Sequence, residues 1–185
     1  MDGWEKLEAR CREIVGWRMQ LIPYLRSAFE GYRENGTPPF RALVLDAPKD
    51  DRLRYVDDQF MIGDRMMVAP LFAGEMSRKI VLPAGRWHDF WTGERVEGGT
   101  ELVVQATMEQ IPVYVKSGSL VPWAYAGLHV QDPVSHELMV RVYGDGSIAW
   151  TLNERKETLR LSWNCESGRA EGTSHYKIRE WKHIG

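Results

Sequence analysis

Between residues 4 and 34 one face of the chain is mostly apolar at helical spacing. Leu7, Cys11, Ile14, Arg18, Leu21, Leu25, Phe29 and Tyr32 recur at steps of three or four, which predicts an amphipathic helix. Pro23 interrupts it: proline has no amide to donate and its ring crowds the carbonyl of Met19, so a kink or a break into two helices is expected there. Glu34-Asn35-Gly36 followed by Thr37-Pro38-Pro39 is a stop signal. From Phe40 onward the period shortens. Arg41 to Leu45, Met66 to Phe72, Lys79 to Leu82, Glu101 to Gln105 and Ile111 to Val115 read as strands, with Phe60 and Ile62 as further buried-strand positions and Gly63-Asp64 as a turn. Short strands at this spacing, punctuated by Pro-Ala-Gly, Thr-Gly-Glu and Glu-Gly-Gly, imply an antiparallel sandwich and not a βαβ sheet.

The expected organisation is a helical region at 1–36, a β-sandwich at 37–122, and a linker with a partial second β unit at 123–185. The linker occupies 123–137. The second unit draws on Leu138 to Tyr143, Ile148 to Leu152, Thr158 to Trp163 and His175 to Trp181. The fold class is therefore mainly β with an N-terminal helix.

Composition narrows the functional classes. The 185 residues are 43% hydrophobic, enough for one core or two small ones, and 24 basic against 26 acidic residues give a formal net charge of −2. That balance offers no electrostatic case for nucleic acid or an anionic membrane. No apolar run approaches the roughly 18 residues of a membrane span. The first residues lack the order of a signal peptide, so a cytoplasmic protein is expected. Cys11 and Cys165 form no ligand pattern and are read as reduced.

Candidate chemistry is sparse. His88, His129, His136, His175 and His183 show no paired spacing for zinc, so no metal site and no cofactor are expected. Asp57 and Asp58 are adjacent on extended chain and point to opposite faces. Asp46, Asp50 and Asp51 flank Pro48 in what reads as a solvated turn, and their spacing fails the calcium-loop pattern. Ser117-Gly118-Ser119 and Gly144-Asp145-Gly146 are turns. In a strand, Trp87, Asp89 and Trp91 share one face and His88, Phe90 and Thr92 the other. Aromatics on both faces suit an interdomain seam. A sugar-stacking platform is the other reading. Trp87, Trp91, Trp123 and Tyr125 are the candidate contacts for either role, and no catalytic residue is identified.

Five segments in order carry a family resemblance. They are Arg18-Met19-Gln20-Leu21-Ile22-Pro23-Tyr24-Leu25, then Gly36-Thr37-Pro38-Pro39-Phe40-Arg41-Ala42-Leu43, then Asp57-Asp58-Gln59-Phe60-Met61-Ile62-Gly63-Asp64 with Met66-Met67-Val68-Ala69-Pro70. Leu82 to Gly93 and Ile111-Pro112-Val113-Tyr114-Val115 complete the set. Over about 105 residues these resemble the C-terminal part of glycoside hydrolase family 31, the α-glucosidase and α-xylosidase family. The resemblance implies the last helix of a (β/α)8 barrel, a proximal C-terminal β-sandwich and part of a distal domain. It also implies that the catalytic aspartates lie on barrel loops upstream of this helix. The two carboxyl groups of retaining hydrolysis, about 5 Å apart, are then absent, and this chain alone is expected to be inactive. Its expected partner is the catalytic barrel, with an α-linked oligosaccharide and self-association as further possibilities. A free-standing carbohydrate-binding sandwich and an interaction module without sugar affinity are the alternatives. A binding module does not need the helix at 4–34, whereas a barrel does.

Overall fold

The computed structural model describes residues 3–185 except 73, 76, 106–109, 128 and 130. Residues 1 and 2 of the expected helical region, and 128 and 130 of the expected linker, thus lie outside the described residues. Two helices open the chain, α1 (Gly3–Gln20) and α2 (Ile22–Asn35), separated at Leu21 with Pro23 in the first turn of the second. At that position the missing amide costs nothing, because the first-turn amides have no intrahelical partner. α2 ends as expected: Gly36 takes a left-handed conformation (φ 78°) and its N–H bonds Tyr32 O at 2.9 Å.

The strands are β1 (Phe40–Ala42), β2 (Phe60–Ile62), β3 (Met66–Val68), β4 (Ser77–Leu82), β5 (Arg86–Asp89), β6 (Arg95–Glu97), β7 (Thr100–Gln105) and β8 (Val113–Lys116). Then come β9 (Ser119–Ala124), β10 (Glu137–Tyr143), β11 (Ser147–Asn153), β12 (Thr158–Asn164), β13 (Gly168–Thr173) and β14 (Lys177–Ile184). A helical turn, α3 (Leu43–Asp46), follows β1. The strand expected over Arg41 to Leu45 is therefore cut short, because Leu43 turns inward to full burial beneath the loop that carries Leu53. The strand expected from Met66 to Phe72 ends at Val68, and β14 begins two residues later than expected and runs on to Ile184. β13, with Gly, Arg, Ala and Glu on a mostly exposed edge, has no apolar alternation to announce it.

A six-stranded sheet in the order β1-β2-β3-β8-β5-β6 forms the centre, and the β4–β7 pair is a separate two-stranded sheet. Period-2 alternation sends its residues to two different cores. Met61, Met67, Trp87 and Tyr114 face Ile80 and Leu82 of β4, together with Leu43 and Leu53. Met66, Val68, Val113 and Val115 face the opposite way, toward Tyr24, Phe90, Val121, Trp123 and Tyr143. Both faces of this sheet are covered at β2, β3 and β8, which is why these three strands read as apolar runs.

β9 is the strand that joins the two β units. All six of its residues are buried. Leu120 and Ala124 point into the core of the second unit, while Val121 and Trp123 point back into the core shared with the first. β9 pairs with β10, Ala124 opposite Leu138, so the strand runs across the boundary expected at 122 and into the segment expected to be linker. The second unit is a pair of three-stranded sheets, β14-β10-β9 and β11-β12-β13, around Leu120, Leu138, Val140, Val142, Leu152 and Leu161. Its pairings are antiparallel except one: β14 lies parallel to β10. The sandwich at 37–122 is antiparallel as expected, and the parallel pair in the second unit requires the long return through β11 to β13 that the chain supplies.

Candidate functional site

The sequence-predicted aromatics sit at different depths. Trp87 is 1% exposed; its indole N–H donates to Pro83 O at 2.8 Å, and the Lys116 ammonium lies 5.7 Å from its ring centroid. Gly98 packs so closely that a methyl there would stand 2.8 Å from the indole nitrogen. Burial on this scale favours packing over sugar stacking for this residue. Trp123 is 8% exposed and packs 5.4 Å from Phe90. Trp91 is half-buried, 5.0 Å from Phe90 and 4.7 Å from Trp17 of α1, with its N–H on Ile111 O at 2.8 Å. Tyr125 stands apart, its hydroxyl bonded to Glu180 at 3.1 Å and Arg179 5.1 Å from its ring. Trp91 and Trp123 thus meet on Phe90, at the seam where α1, the first sheet and β9 converge; Trp87 and Tyr125 do not join them.

At the centre of that seam is a residue that no sequence pattern singles out. The Arg141 guanidinium lies 4.3 Å from Phe90, 5.4 Å from Tyr143 and 5.5 Å from Trp123, and donates to Phe90 O at 2.9 Å. No carboxylate pairs with it among the described contacts; ring faces and one carbonyl hold the charge. Burial lowers its pKa from the ordinary value. Alternation along β10 signals only an outward-facing position, and the cation's role depends on rings contributed from elsewhere.

A second knot fastens α2 to the sandwich. Tyr24 is 1% exposed; its hydroxyl donates to Ile62 O at 2.8 Å and accepts from Arg65 N at 3.1 Å. Burial pushes this hydroxyl's pKa well above the ordinary phenol range, so it stays a neutral donor. Gly63 turns beneath it at φ 58°, where an added methyl would come within 2.5 Å of the tyrosine oxygen. Arg41 donates to Gly63 O at 2.7 Å and pairs with Asp46 at 2.5 Å, and Lys116 reaches the other Asp46 oxygen at 3.1 Å. Asp46 was expected in a solvated turn. It is instead 14% exposed at its side chain, drawn in by the two cations. Asp50 stays at the loop and caps the 3-10 turn at Asp51–Leu53. A cleft of about 270 Å³ opens beside this knot, between Tyr24, Ser27, Arg41, Asp64, Trp150 and Asn153.

Asp57 is exposed, and Asp58 pairs with the buried Arg78. The aspartate neighbours therefore do not converge. Convergence occurs elsewhere, at Glu154, Glu157 and His175, whose ligand atoms lie within 4.8 Å of one another. The sequence spacing of the histidines does not bring these groups together; the return of the chain does. The signal was Glu-x-x-Glu in a hairpin turn, and nothing in the sequence ties His175 to it. The cavity lined by Arg26, His136, His175 and Tyr176 beside it is about 30 Å³, room for about one water and not for a sugar ring.

His88 is the buried titratable group of the first sheet from which a pH dependence of stability is expected. It is 1% exposed, with Nδ1 3.3 Å from Gly93 O and Nε2 3.3 Å from Ser117 Oγ. Burial lowers its pKa, the Gly93 carbonyl partly offsetting this, with Arg95 and His183 opposing Asp145. As pH falls below the ordinary histidine value of about 6.5, the unfolded chain takes up a proton that the folded chain resists, so stability falls. The loss continues until the lowered folded value is reached. Urea midpoints at pH 8 and pH 5.5 should therefore differ more for the wild type than for His88→Gln; equal differences would refute the assignment.

The fold finds its counterparts in known proteins. The sequence profile of the glycosyl hydrolase family 31 C-terminal domain matches residues 36–121. This chain belongs to that family, as a C-terminal portion. Alpha-glucosidase 2 of Bacillus thermoamyloliquefaciens is 30% identical over 140 residues, 75% of this chain and 18% of that protein. An alpha-xylosidase of Saccharolobus solfataricus is 30% identical over 133 residues, 71% of this chain and 18% of that protein. Among solved structures, the α-xylosidase of Xanthomonas citri superposes with a TM-score of 0.78 at 28% identity, covering 91% of this chain and 21% of that one. The family 31 chain described here therefore spans about a fifth of the length of these relatives, and its β-rich fold is that of the family's C-terminal region.

Proposed function

We propose that this chain is the C-terminal accessory region of a retaining, exo-acting α-glycosidase, an α-glucosidase or α-xylosidase, and that it braces the catalytic barrel through α1. One observation carries the proposal: none of the 18 residues of α1 is buried, although the helix presents Trp4, Leu7, Ile14 and Val15 at 52–74% exposure. At 3.6 residues per turn these four fall on one stripe together with Cys11. A helix with an uncovered apolar stripe is stabilised by a partner surface, since burying each large side chain contributes about 1.5–3 kcal/mol. The inner edge of α1 is already held by Trp17 against Trp91, so the outer stripe is the surface left for the barrel.

The test is reassembly. An α-xylosidase shortened to remove the region matching this chain is mixed with it and run on a sizing column, and α-glucoside and α-xyloside hydrolysis is assayed. The chain alone should release nothing above a heat-killed control. Mixed with the shortened enzyme it should co-elute and restore turnover, and the double variant I14K/V15D should do neither. Turnover by the chain alone would overturn the accessory role. Co-elution that the double variant leaves intact would overturn the assignment of the α1 stripe.

A further inference from the structure

Glu154 and Glu157 close the β11–β12 hairpin. Glu154 N–H donates to Glu157 O at 2.9 Å and Glu157 N–H to Glu154 O at 3.3 Å, a reciprocal pairing that puts both side chains on the same face of the ribbon. The connector between β13 and β14 lies across them. Its Ser174 hydroxyl donates to Glu154 Oε2 at 2.7 Å, and the His175 backbone N–H donates to Glu157 Oε2 at 3.1 Å. His175 Nδ1 then stands 3.1 Å from Glu154 Oε1 and 3.5 Å from Glu157 Oε2.

Two features distinguish this group from a surface cluster of like charges. The Glu154 side chain is 3% exposed, and its Oε1 has no hydrogen-bond partner. A carboxylate oxygen so deeply buried and left unsatisfied is costly. His175 Nδ1 is close enough to serve it, yet is not aligned to donate. The second feature is the spacing. Oxygen and nitrogen ligands sit about 2.0–2.2 Å from a tetrahedral zinc ion, which puts neighbouring ligand atoms about 3.3–3.5 Å from one another. The two distances from Nδ1, 3.1 and 3.5 Å, are close to that spacing, and all three ligand atoms lie within 4.8 Å of one another.

We propose that Glu154, Glu157 and His175 form a binding site for a divalent transition-metal ion of the zinc class. One imidazole and two carboxylates suit zinc, cobalt or manganese. Calcium takes six to eight oxygens and is not satisfied by this set. Ser174 and the His175 backbone amide orient the two carboxylates from behind, as the outer contacts of a metal site do. Three protein ligands leave a fourth position, on the solvent side of His175, for water. Arg26 of α2 is the competing cation: its Nη1 lies 3.8 Å from Glu154 Oε1, and its side chain is 46% exposed, so it has room to withdraw. His136 packs edge-on against His175 with centroids 4.8 Å apart and fixes the ring. The ion would clamp the β11–β12 hairpin to the β13–β14 connector, next to where Ser27 of α2 bonds the backbone of Thr151 and Asn153.

The experiment is isothermal titration of the EDTA-treated 185-residue chain, carrying Cys11→Ser and Cys165→Ser to remove thiol ligands, with zinc chloride and separately calcium chloride. About one equivalent of zinc should bind, the melting temperature should rise by about 5 °C, and calcium should do neither. His175→Ala and Glu157→Gln should each weaken zinc binding at least tenfold, while His183→Ala should leave it unchanged. Circular dichroism checks that each variant is folded; if His175→Ala is not, Glu157→Gln decides, because its side chain is 42% exposed in the parent. Absence of zinc binding, or zinc binding that Glu157→Gln leaves unchanged, overturns the site.

Discussion

Replacing Tyr24 by alanine should destabilise the protein by about 3–5 kcal/mol, the range for removing a fully buried aromatic ring. Three contributions act at one place. The ring leaves the core it shares with Met66, Val68 and Val115 and its stacking on Trp150, 5.9 Å away. The Ile62 carbonyl and the Arg65 amide lose the hydroxyl that served both. The Gly63 turn, shaped to that hydroxyl, loses its lid. Tyr24→Phe separates these contributions: it keeps the ring and removes only the polar partner, so it should cost about 1–3 kcal/mol. Urea denaturation of the two variants gives the comparison directly. If phenylalanine were as damaging as alanine, the hydroxyl knot would dominate; if both were neutral, α2 would not be fastened through this residue.

Trp87→Ala should cost a similar amount, about 3–5 kcal/mol, and should do so without any involvement of sugar. The indole fills the core between the central sheet and the β4–β7 pair, and its N–H is satisfied by Pro83 O. Trp87→Phe should recover much of the loss while leaving that carbonyl unpaired. Thermal melts with and without a high concentration of maltose or xylose should give the same shift for wild type and Trp87→Phe. A sugar-dependent melting temperature that vanished with Trp87→Phe would restore the stacking reading that burial argues against.

Much of this molecule is written in local sequence. The helical period up to residue 34, the break before Pro23 and the stop at Gly36 follow from amide geometry and φ alone. The strands β4, β7, β8, β10, β11 and β12 announce themselves by β-branched and aromatic alternation between turns. Segment order over residues 18–122 suffices to suggest the family. The aromatic positions were legible as a group, though not their separate depths, because alternation reports two faces without saying what covers each.

What the sequence could not settle is what meets across long separations. Val121 reads as the end of one domain and Trp123 as the start of a linker; pairing of β9 with β10 makes both the seam between two units. Arg141 reads as an outward strand position until Phe90, some fifty residues earlier, closes over it. Asp46 reads as solvated until Arg41 and Lys116 draw it inside. Glu154, Glu157 and His175 become a cluster only because β14 returns parallel to β10 and carries its connector across the hairpin tip. Sequence by itself determined the elements, since propensity, capping and period act over a few residues. Tertiary structure alone decided the partners of Trp91, Arg141, Glu154 and His175, since burial and charge pairing depend on distances that local chain geometry does not fix.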